Sequence, residues 1–328
     1  MKILGMGNAL VDIITTLEDD KLLESFGLPK GSMTLVDHET SNFINIQTAG
    51  LKKQKASGGS AANTIHGLAR MGVRTGFIGM VGDDDLGKFF FKDMKSKKIK
   101  PMLFKSIRET GRAVALISPD SERTFATYLG AAVELSAEDL DSNLFTGYDY
   151  LYLEGYLVQD HDLIEKAVRL ARKNGLKVCI DLASYNIVEE HSSFFMELIS
   201  NHVDIVFANN QEAESLTGEQ PEQAAEILGR NSDIAVVKTG AEGSLIYTGG
   251  ELHKIGIRPS KPIDTTGAGD MYAAGFLYGL VKGQPLETCG NIGAVLSGRV
   301  IEVLGAKLDE SAWENIRRQV QSIMDNVD

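Results

Sequence analysis

Short apolar runs alternate with segments of helical periodicity along most of the chain. Strands are predicted at Lys2–Met6 and Thr75–Met80, and helices at Ser60–Met71 and Asp85–Lys97. Four later apolar runs have the length of strands: Tyr148–Tyr156, Leu176–Asp181, Val203–Ala208 and Asp233–Thr239. The first three of these are each followed by a helical pattern. Apolar strands that alternate with helices predict a parallel sheet with helices on both faces.

Two segments interrupt this alternation. Residues 15–51 contain short extended runs beside a small helix. Residues 109–129 alternate with period two around a turn at Pro119–Asp120, which is typical of a β-hairpin. We expect the two segments to pack together as a small lid over one edge of the sheet; two surface excursions without mutual contact are the alternative. The α/β core would then comprise residues 1–14, 52–108 and 130–328.

The chain has 328 residues, of which 43% are hydrophobic, and a formal net charge of −12. Nucleic acids and anionic membranes usually bind a basic patch, so this charge argues against both as partners. No run approaches the roughly 18 apolar residues of a membrane span, and the apolar N-terminus lacks an A-x-A-like cleavage site. The two cysteines, Cys179 and Cys289, have no short spacing between them, which favours a reducing compartment and a cytoplasmic location.

The stretch DTTGAGD, Asp264–Asp270, places two glycines and an acid before an apolar helix predicted at Met271–Val281. Glycine lets backbone amides approach a ligand closely, and a helix N-terminus offers unpaired N–H groups at the positive end of its dipole. Such a turn binds phosphate or a developing oxyanion. Asp270 either caps the helix or acts as a general base beside this anion site, and we favour the base because Asp264 and Thr265–Thr266 lead into the turn.

Five motifs in one chain resemble those of the ribokinase-like family, also called the PfkB carbohydrate kinases. DTTGAGDMYAAGFLYG resembles the C-terminal signature of the family, and ASGGSAANTIHGLARMG (Ala56–Gly72) resembles its N-terminal signature. GMVGDDDLG is similar to a glycine–aspartate turn, ANNQEAESLTG (Ala208–Gly218) to an N-x-x-E motif, and VKTGAEGS (Val237–Ser244) to a nucleotide-side loop. The resemblance implies a doubly wound, mostly parallel sheet flanked by helices, with a small β-sheet lid.

The resemblance also implies phosphoryl transfer from ATP and Mg²⁺ to an alcohol, with K⁺ as a further candidate cofactor. Asp270 would be the general base, and Arg123 would reach the phosphates. The anion hole would consist of the amides of Gly267, Ala268 and Gly269. Glu212 would organise Mg²⁺ through water, and Asp264 would belong to a monovalent-ion loop. The ATP-binding positions would be Asn209, Thr239, Gly240, Gly243 and Asn291, with a helix from about Asn291 beside the adenine.

The acceptor side of the site is expected to begin at Asp12, which follows the first strand directly. At the carboxyl edge of a parallel strand, its carboxylate could accept hydrogen bonds from two neighbouring ribose hydroxyls. Tyr156, in LEGYLV, would pack near a nucleobase by resemblance. The positions that hold the sugar in the family match Asn8, Asp12, Gly58, Gly59 and Asn63.

Within the family the chain is most similar to adenosine kinases and their bacterial relatives, through GMGNALVDI and the insertion DDKLLESFGLPKGSMTLVD. This similarity predicts a nucleoside substrate such as adenosine and a role in purine salvage. Asn186 stands where animal adenosine kinases carry a phenylalanine against the base, so a free sugar such as ribose or fructose stays an alternative. The helical insertion within residues 15–51 would cover the lid edge, which favours a monomer over a lid-mediated dimer.

Two other functional classes have less support. Gly5-Met6-Gly7 begins like a dinucleotide-binding fingerprint, but Leu10 stands at the third glycine position, which disfavours a nicotinamide-dependent oxidoreductase. A catalytically inactive small-molecule sensor would have no need of the base Asp270. The sequence contains no G-x-x-x-x-G-K-[ST] segment, which excludes a P-loop kinase.

Overall fold

The computed structural model describes residues 1–120 and 122–325. Residue 121, within the predicted lid, and residues 326–328, within the predicted core, lie outside the described residues. No helix in the described part of the chain is both long enough and apolar enough to cross a bilayer.

The secondary structure follows the predicted alternation closely. The described strands are β1 (Lys2–Met6), β2 (Leu10–Thr16), β3 (Met33–Leu35), β4 (Lys53–Gly58), β5 (Arg74–Gly82), β6 (Ile99–Ser106), β7 (Gly111–Ile117), β8 (Arg123–Tyr128), β9 (Tyr150–Glu154), β10 (Lys177–Asp181), β11 (Ile205–Asn209), β12 (Ile234–Lys238), β13 (Ser244–Thr248) and β14 (Glu251–Ile255). The described α-helices are α1 (Lys21–Phe26), α2 (His38–Gln47), α3 (Ser60–Arg70), α4 (Asp85–Ser96), α5 (His161–Lys173), α6 (Tyr185–Glu190), α7 (Ser192–His202), α8 (Asn210–Thr217), α9 (Pro221–Arg230), α10 (Ala268–Val281), α11 (Leu286–Val300) and α12 (Glu310–Asp325). Short 3₁₀ helices lie at Gly130–Glu134, Ala137–Asp139, Ser142–Leu144, Gly155–Gln159 and Gly240–Glu242.

The large sheet has the spatial order β14-β13-β12-β11-β10-β9-β1-β5-β6. Its neighbours pair in parallel except at one edge, where β13 runs antiparallel to β12 and to β14. Along β11, Ile205 and Phe207 join the core cluster on one face, and Val206 and Ala208 join the cluster on the other. Helices α3, α10 and α11 cover the first face, and α5, α8 and α9 cover the second. Burial on both faces explains why the strands are apolar throughout.

Helix α10 begins within the motif DTTGAGD and is surrounded by protein. Every residue of Met271–Gly279 is buried, so the helix is apolar on all sides and lacks the striped pattern of a surface helix. Its glycines Gly275 and Gly279 allow close packing against Ile292 and Cys289 of α11, and Ala274 packs against Gly67 of α3. This packing fixes the first turn of α10, and with it Asp270, relative to the large sheet.

A second, smaller sheet has the order β3-β8-β7-β2-β4. The predicted hairpin is present as the antiparallel pair β7 and β8, and β3 pairs with β8, so the two predicted lid segments are in contact. The sheet also contains β2 and β4, although residues 10–14 and 52–58 were expected in the core. The reason is that β1 and β2 form one apolar stretch in the sequence, whereas the chain leaves the large sheet between Met6 and Leu10 and enters the small one.

Candidate active site

A cavity of about 920 Å³ lies between the small sheet and the carboxyl ends of β9 to β12. Ligands of open α/β sheets bind at this edge of the strands. The predicted site residues in its wall are Asn8, Asp12, Gly59, Asn63, Arg123, Tyr156, Asn209, Glu212, Gly240, Gly243, Ala268, Gly269 and Asp270. The predicted residues outside the described wall are Gly58, Thr239, Asp264, Gly267 and Asn291.

The first turn of α10 forms one end of the cavity. Gly267 precedes the helix with φ 77°, a left-handed conformation that a residue with a Cβ adopts at an energetic cost. The amide of Ala268 donates a hydrogen bond to the carbonyl of Thr265 at 3.1 Å. The first amides of a helix have no partner inside the helix and lie at its positive end, so this turn can take negatively charged oxygens from the cavity.

Asp270 lies in that first turn and is held by two donors from α3. The hydroxyl of Ser60 donates to Oδ1 at 2.8 Å, and Nδ2 of Asn63 donates to Oδ2 at 3.0 Å. Burial raises the pKa of Asp270 to about 6, against the two hydrogen bonds, which lower it. A carboxylate with this pKa is ionised at neutral pH and is a stronger base than an ordinary aspartate, which suits a general base.

A buried ion pair that the motifs did not indicate lies beside this turn. Nζ of Lys238, at the end of β12, is 2.9 Å from Oδ2 of Asp181, at the end of β10, and both side chains line the cavity. A Cβ placed on Gly269 would lie 3.1 Å from this Nζ. Burial lowers the pKa of Lys238, but the neighbouring carboxylates of Asp181 and Glu212 outweigh it and raise the pKa overall. Lys238 therefore places a fixed positive charge next to the anion-binding turn.

Glu154, at the end of β9, is a second cavity residue that sequence reasoning missed. Oε1 accepts hydrogen bonds from the amide of Asn8 at 3.1 Å and from its Nδ2 at 2.8 Å, and Oε2 accepts from the amide of Ala61 at 3.0 Å. Burial raises the pKa of Glu154 to about 7. The available signal was an acid that ends an apolar strand, since Asp181 ends β10 in the same way.

Asp12 reaches the cavity from a different element than expected. It lies in the middle of β2, opposite Ala56 of β4 and Ala113 of β7, and not at the carboxyl end of a strand of the large sheet. A Cβ on Gly58 would lie 2.1 Å from its Oδ1, so only glycine leaves room for the carboxylate there. Burial raises the pKa of Asp12 to about 6, and the charge of Lys307 opposes this shift.

Asn209 and Glu212 form the capping box of α8 through reciprocal hydrogen bonds. The amide and Nδ2 of Asn209 donate to the two carboxylate oxygens of Glu212 at 2.7 and 2.6 Å, and the amide of Glu212 donates to Oδ1 of Asn209 at 2.9 Å. Burial raises the pKa of Glu212 to about 7. Both residues also line the cavity, so the helix-capping role and a role toward a ligand are compatible.

Arg123 and Asp264 form a buried ion pair between strand β8 and the loop before α10. Asp264 also accepts hydrogen bonds from the amide and hydroxyl of Thr266 and from the amide of Gly305. Nε and Nη2 of Arg123 are buried and have no partner among the described residues. Arg123 therefore lines the cavity with two unpaired donor nitrogens among the described residues. Its guanidinium is the positive charge beside Asp264 in this structure, where a monovalent ion was predicted.

The structure brings only some of the predicted ATP-binding residues to the cavity. Gly240 and Gly243 line the cavity, and Thr239 immediately precedes them. Asn291 was expected near the start of a helix, but α11 begins at Leu286, because Pro285 occupies its N-cap. The side chain of Asn291 instead accepts from Arg258 at 2.8 Å and donates to the carbonyl of Glu287 at 2.9 Å.

Most residues of the small sheet that line the cavity are apolar, and Asp12 and Arg123 are its charged members. Met33 and Leu35 of β3 line the cavity and are 65% and 64% exposed. Phe125 of β8 belongs to the same wall, whereas Val133 and Ile187 add apolar surface to the cavity from the 3₁₀ helix Gly130–Glu134 and from α6. Tyr156 also lines the cavity, and burial raises its pKa to about 12. Exposed apolar side chains that face a cavity indicate a ligand with an apolar face.

Comparison with known proteins identifies the family. The model of the pfkB family carbohydrate kinase matches residues 31–313. The chain belongs to the PfkB family of carbohydrate kinases. This confirms the resemblance drawn from the motifs, and it makes the chain a phosphotransferase that acts on an alcohol group.

Relatives in this family carry different names. A 5-dehydro-2-deoxygluconokinase from Geobacillus kaustophilus is 30% identical over 265 residues, which are 75% of this chain and 79% of the relative. A probable sugar kinase from Rhizobium etli CFN 42 has a TM-score of 0.86 at 33% identity, and covers 97% of this chain and 98% of its own. An adenosine kinase from Sinorhizobium meliloti has a TM-score of 0.85 at 36% identity, and covers 97% and 99%. The ribokinase-like α/β fold with a second small sheet is thereby confirmed.

Proposed function

We propose that this PfkB kinase transfers the γ-phosphoryl group of ATP to the hydroxymethyl group of a ribose-containing substrate, and that the substrate is a nucleoside such as adenosine. The observation that carries the phosphoryl-transfer part is the position of Asp270. Its carboxylate stands in the first turn of α10, beside the anion-binding amides and in the same cavity as Asp12. A base beside an anion site is what deprotonation of an alcohol during phosphoryl transfer requires.

In the proposed reaction, Asp270 accepts the proton of the hydroxymethyl group as its oxygen bonds to the γ-phosphorus. The bond from the γ-phosphorus to the β-γ bridging oxygen breaks, and ADP leaves with that electron pair. The amides of Gly267 and Gly269 and the ammonium of Lys238 would stabilise the negative oxygens of the phosphoryl group in transit. The amide of Ala268 would join them on leaving the carbonyl of Thr265, to which it donates in this structure. This chemistry depends mainly on the alignment of the two substrates, which the lid and the α10 turn would provide.

Glu212 fits a divalent cation through water. Both of its oxygens already accept hydrogen bonds from Asn209, yet a carboxylate offers about four lone-pair sites, so lone pairs remain on the cavity side. Mg²⁺ usually keeps several of its waters, and when bound it would neutralise charge on the phosphates of ATP. For Asp264 the potassium role stays a prediction, since Arg123 and three hydrogen-bond donors occupy the carboxylate here.

The nucleoside assignment rests on the apolar lid wall. A free sugar carries hydroxyl groups around its ring and would leave Met33 and Leu35 against polar atoms, whereas a purine would cover them with an apolar face. Each 100 Å² of apolar surface removed from water stabilises a complex by about 2.5 kcal/mol before the costs of association. The similarity to the Sinorhizobium meliloti adenosine kinase, at 36% identity over 97% of this chain, agrees with a nucleoside.

A free sugar or sugar acid is the second candidate substrate. It is favoured by the relatives named as 5-dehydro-2-deoxygluconokinase and probable sugar kinase. Asp12, Asn63 and Glu154 could hold a sugar without any contact to the lid wall. The two candidates therefore differ in whether the wall formed by β3 and β8 contributes to binding.

An acceptor panel separates the candidates. ADP release from Mg-ATP is measured with adenosine, inosine, guanosine, ribose, fructose and 5-dehydro-2-deoxygluconate, with Asp270→Asn as the inactive control. We expect saturable turnover with adenosine at the lowest concentration of the panel. Turnover with free sugars alone would overturn the nucleoside assignment and keep the phosphotransferase, and loss of all turnover above the Asp270→Asn background would overturn both.

A further inference from the structure

Lys307 lies outside every motif and is linked to Asp270 through one intervening side chain, that of Asn63. It is in the loop between α11 and α12, and its Nζ donates a hydrogen bond to Oδ1 of Asn63 at 2.9 Å. Nδ2 of Asn63 in turn donates to Oδ2 of Asp270 at 3.0 Å. The same loop is tied to the anion-binding turn, because the amide of Gly305 donates to Asp264 at 2.7 Å.

This chain of contacts allows only one orientation of the Asn63 amide. An ammonium group can only donate, so the atom that faces Lys307 must be the oxygen, and an ionised carboxylate can only accept, so the atom that faces Asp270 must be the NH₂ group. Without Lys307 the amide could rotate by a half-turn and present its oxygen to Asp270. That orientation would repel the carboxylate and favour its protonated form.

We propose that Lys307 is a positioning residue for phosphoryl transfer, which locks the Asn63 amide toward Asp270 and supplies the positive charge that keeps Asp270 and Asp12 ionised together. The inference rests on the proposed role of Asp270 as the base. Its effect on charge follows from Coulomb attraction across a partly buried site, where an opposite charge at 4–6 Å lowers a carboxyl pKa by about 1–3 units.

Other charges also act on the two carboxylates and on Lys307. Burial lowers the pKa of Lys307, and the neighbouring carboxylates oppose that change. The groups that face Lys307 are Asp12 from β2, His66 from α3, Asp93 from α4, Lys97 at the C-cap of α4, and Asp270 from α10. The charges of Asp181, at the end of β10, and Lys238, at the end of β12, also affect the pKa of Asp270. The charge of Asp270 in turn raises the pKa values of Glu154 and Glu212.

Three substitutions separate the two effects of Lys307. Lys307→Arg keeps the charge and a donor, Lys307→Gln keeps a donor without the charge, and Lys307→Met removes both. For Lys307→Met we expect the acid limb of the kcat/KM–pH profile to move up by about one pH unit. The value of kcat/KM should then fall about threefold near pH 6.5 and nearly tenfold near pH 5, and it should recover above pH 8. Lys307→Gln should show a smaller shift, and Lys307→Arg should restore the wild-type limb.

The control is Lys97→Met, which removes a nearby positive charge that has no described bond to Asn63, and it should leave the limb in place. The proposal is overturned if Lys307→Met lowers the rate equally at every pH, as a merely structural residue would, or if Lys97→Met shifts the limb as far. The profile is measured with whichever acceptor of the panel is turned over, so it does not depend on the substrate being a nucleoside.

A second measurement needs no turnover. Infrared titration of the free protein follows the carbonyl band of protonated carboxyl groups. In Lys307→Met this band should persist to higher pH than in the wild type, and the double variant Lys307→Met/Asp270→Asn should lose part of that excess. Identical titrations of the wild type and Lys307→Met would overturn the inference, whatever the panel shows about the substrate.

Discussion

Replacing Asp270 by asparagine removes the proposed proton acceptor with little change of shape. The asparagine oxygen can still accept from Nδ2 of Asn63, and its NH₂ group can donate to the hydroxyl of Ser60, so both observed contacts have a counterpart. We expect the fold and the binding of ATP to persist. Turnover should fall by about 10²–10⁴-fold, the contribution typical of a positioned general base.

The same substitution should stabilise the protein at neutral and alkaline pH. The pKa of Asp270 is about 6 in the folded protein, against 3.8 for an ordinary aspartate, so the folded state binds the proton more tightly than the unfolded state. The stability that this proton contributes is present below pH 4 and is lost as the pH rises through 6. The loss amounts to at most about 3 kcal/mol, and the neutral asparagine does not suffer it.

Urea unfolding at pH 8 and at pH 4.5 tests this sign, alongside steady-state ADP release. Asp270→Asn should be more stable than the wild type by up to about 3 kcal/mol at pH 8 and by only about 1 kcal/mol at pH 4.5, while remaining inactive at pH 8. Asp162→Asn, which removes an aspartate from the first turn of α5, is the matched control and should keep full activity. Turnover of Asp270→Asn within tenfold of the wild type would refute the base, and lower stability at pH 8 would refute the charge argument.

Two further substitutions test the lid wall and the metal side. Leu35→Ser should raise the KM for adenosine about tenfold and leave the KM for ribose unchanged, because it removes apolar surface that only a nucleobase covers. The control is Ile46→Ser on α2, where the side chain is 68% exposed. Equal effects of the two substitutions would count against a nucleobase at this wall. Glu212→Gln should keep most of the α8 capping box, lower kcat about tenfold or more, and raise the Mg²⁺ concentration needed for half-maximal rate. The control Glu214→Gln, on the exposed side of α8, should change neither kcat nor the Mg²⁺ dependence. An unchanged Mg²⁺ dependence of Glu212→Gln would show that Glu212 does not help to bind the cation.

The parallel core and the β7–β8 hairpin could be predicted because each has a local pattern: continuous apolar runs between helices, and alternation around a turn. The position of β2 could not, since GNALVDI continues the apolar run of β1 and nothing in it marks the passage from one sheet to the other. β4, with the sequence KQKASG, has no apolar alternation and gains its place only by pairing with β2.

The candidate site likewise contains residues that a local motif predicts and residues that only the fold brings together. Asp270 and the glycines before it form one local motif, so they were predictable from seven consecutive residues. Lys238 and Asp181 become partners through the order of β10, β11 and β12, which the sequence does not state. Lys307 is 244 positions away from Asn63 in the chain and belongs to no motif, so only the folded structure brings it to the base.

The burial that would make Asp270 an effective base also makes the free protein less stable at neutral pH. Burial raises the pKa values of Asp12 and Asp270 to about 6 and those of Glu154 and Glu212 to about 7, so each resists ionisation at the pH where a base must be ionised. The cations beside them, Lys238, Lys307 and Arg123, are each already bound to a protein group. A triphosphate that enters the cavity adds negative charge to a site whose own carboxylates repel one another, so it needs a cation with it. On this argument we expect Mg²⁺ to take part in the charge balance of the site as well as in the proposed chemistry. We expect the predicted lid to exclude water only after acceptor, nucleotide and cation together have replaced the solvation that the carboxylates lose.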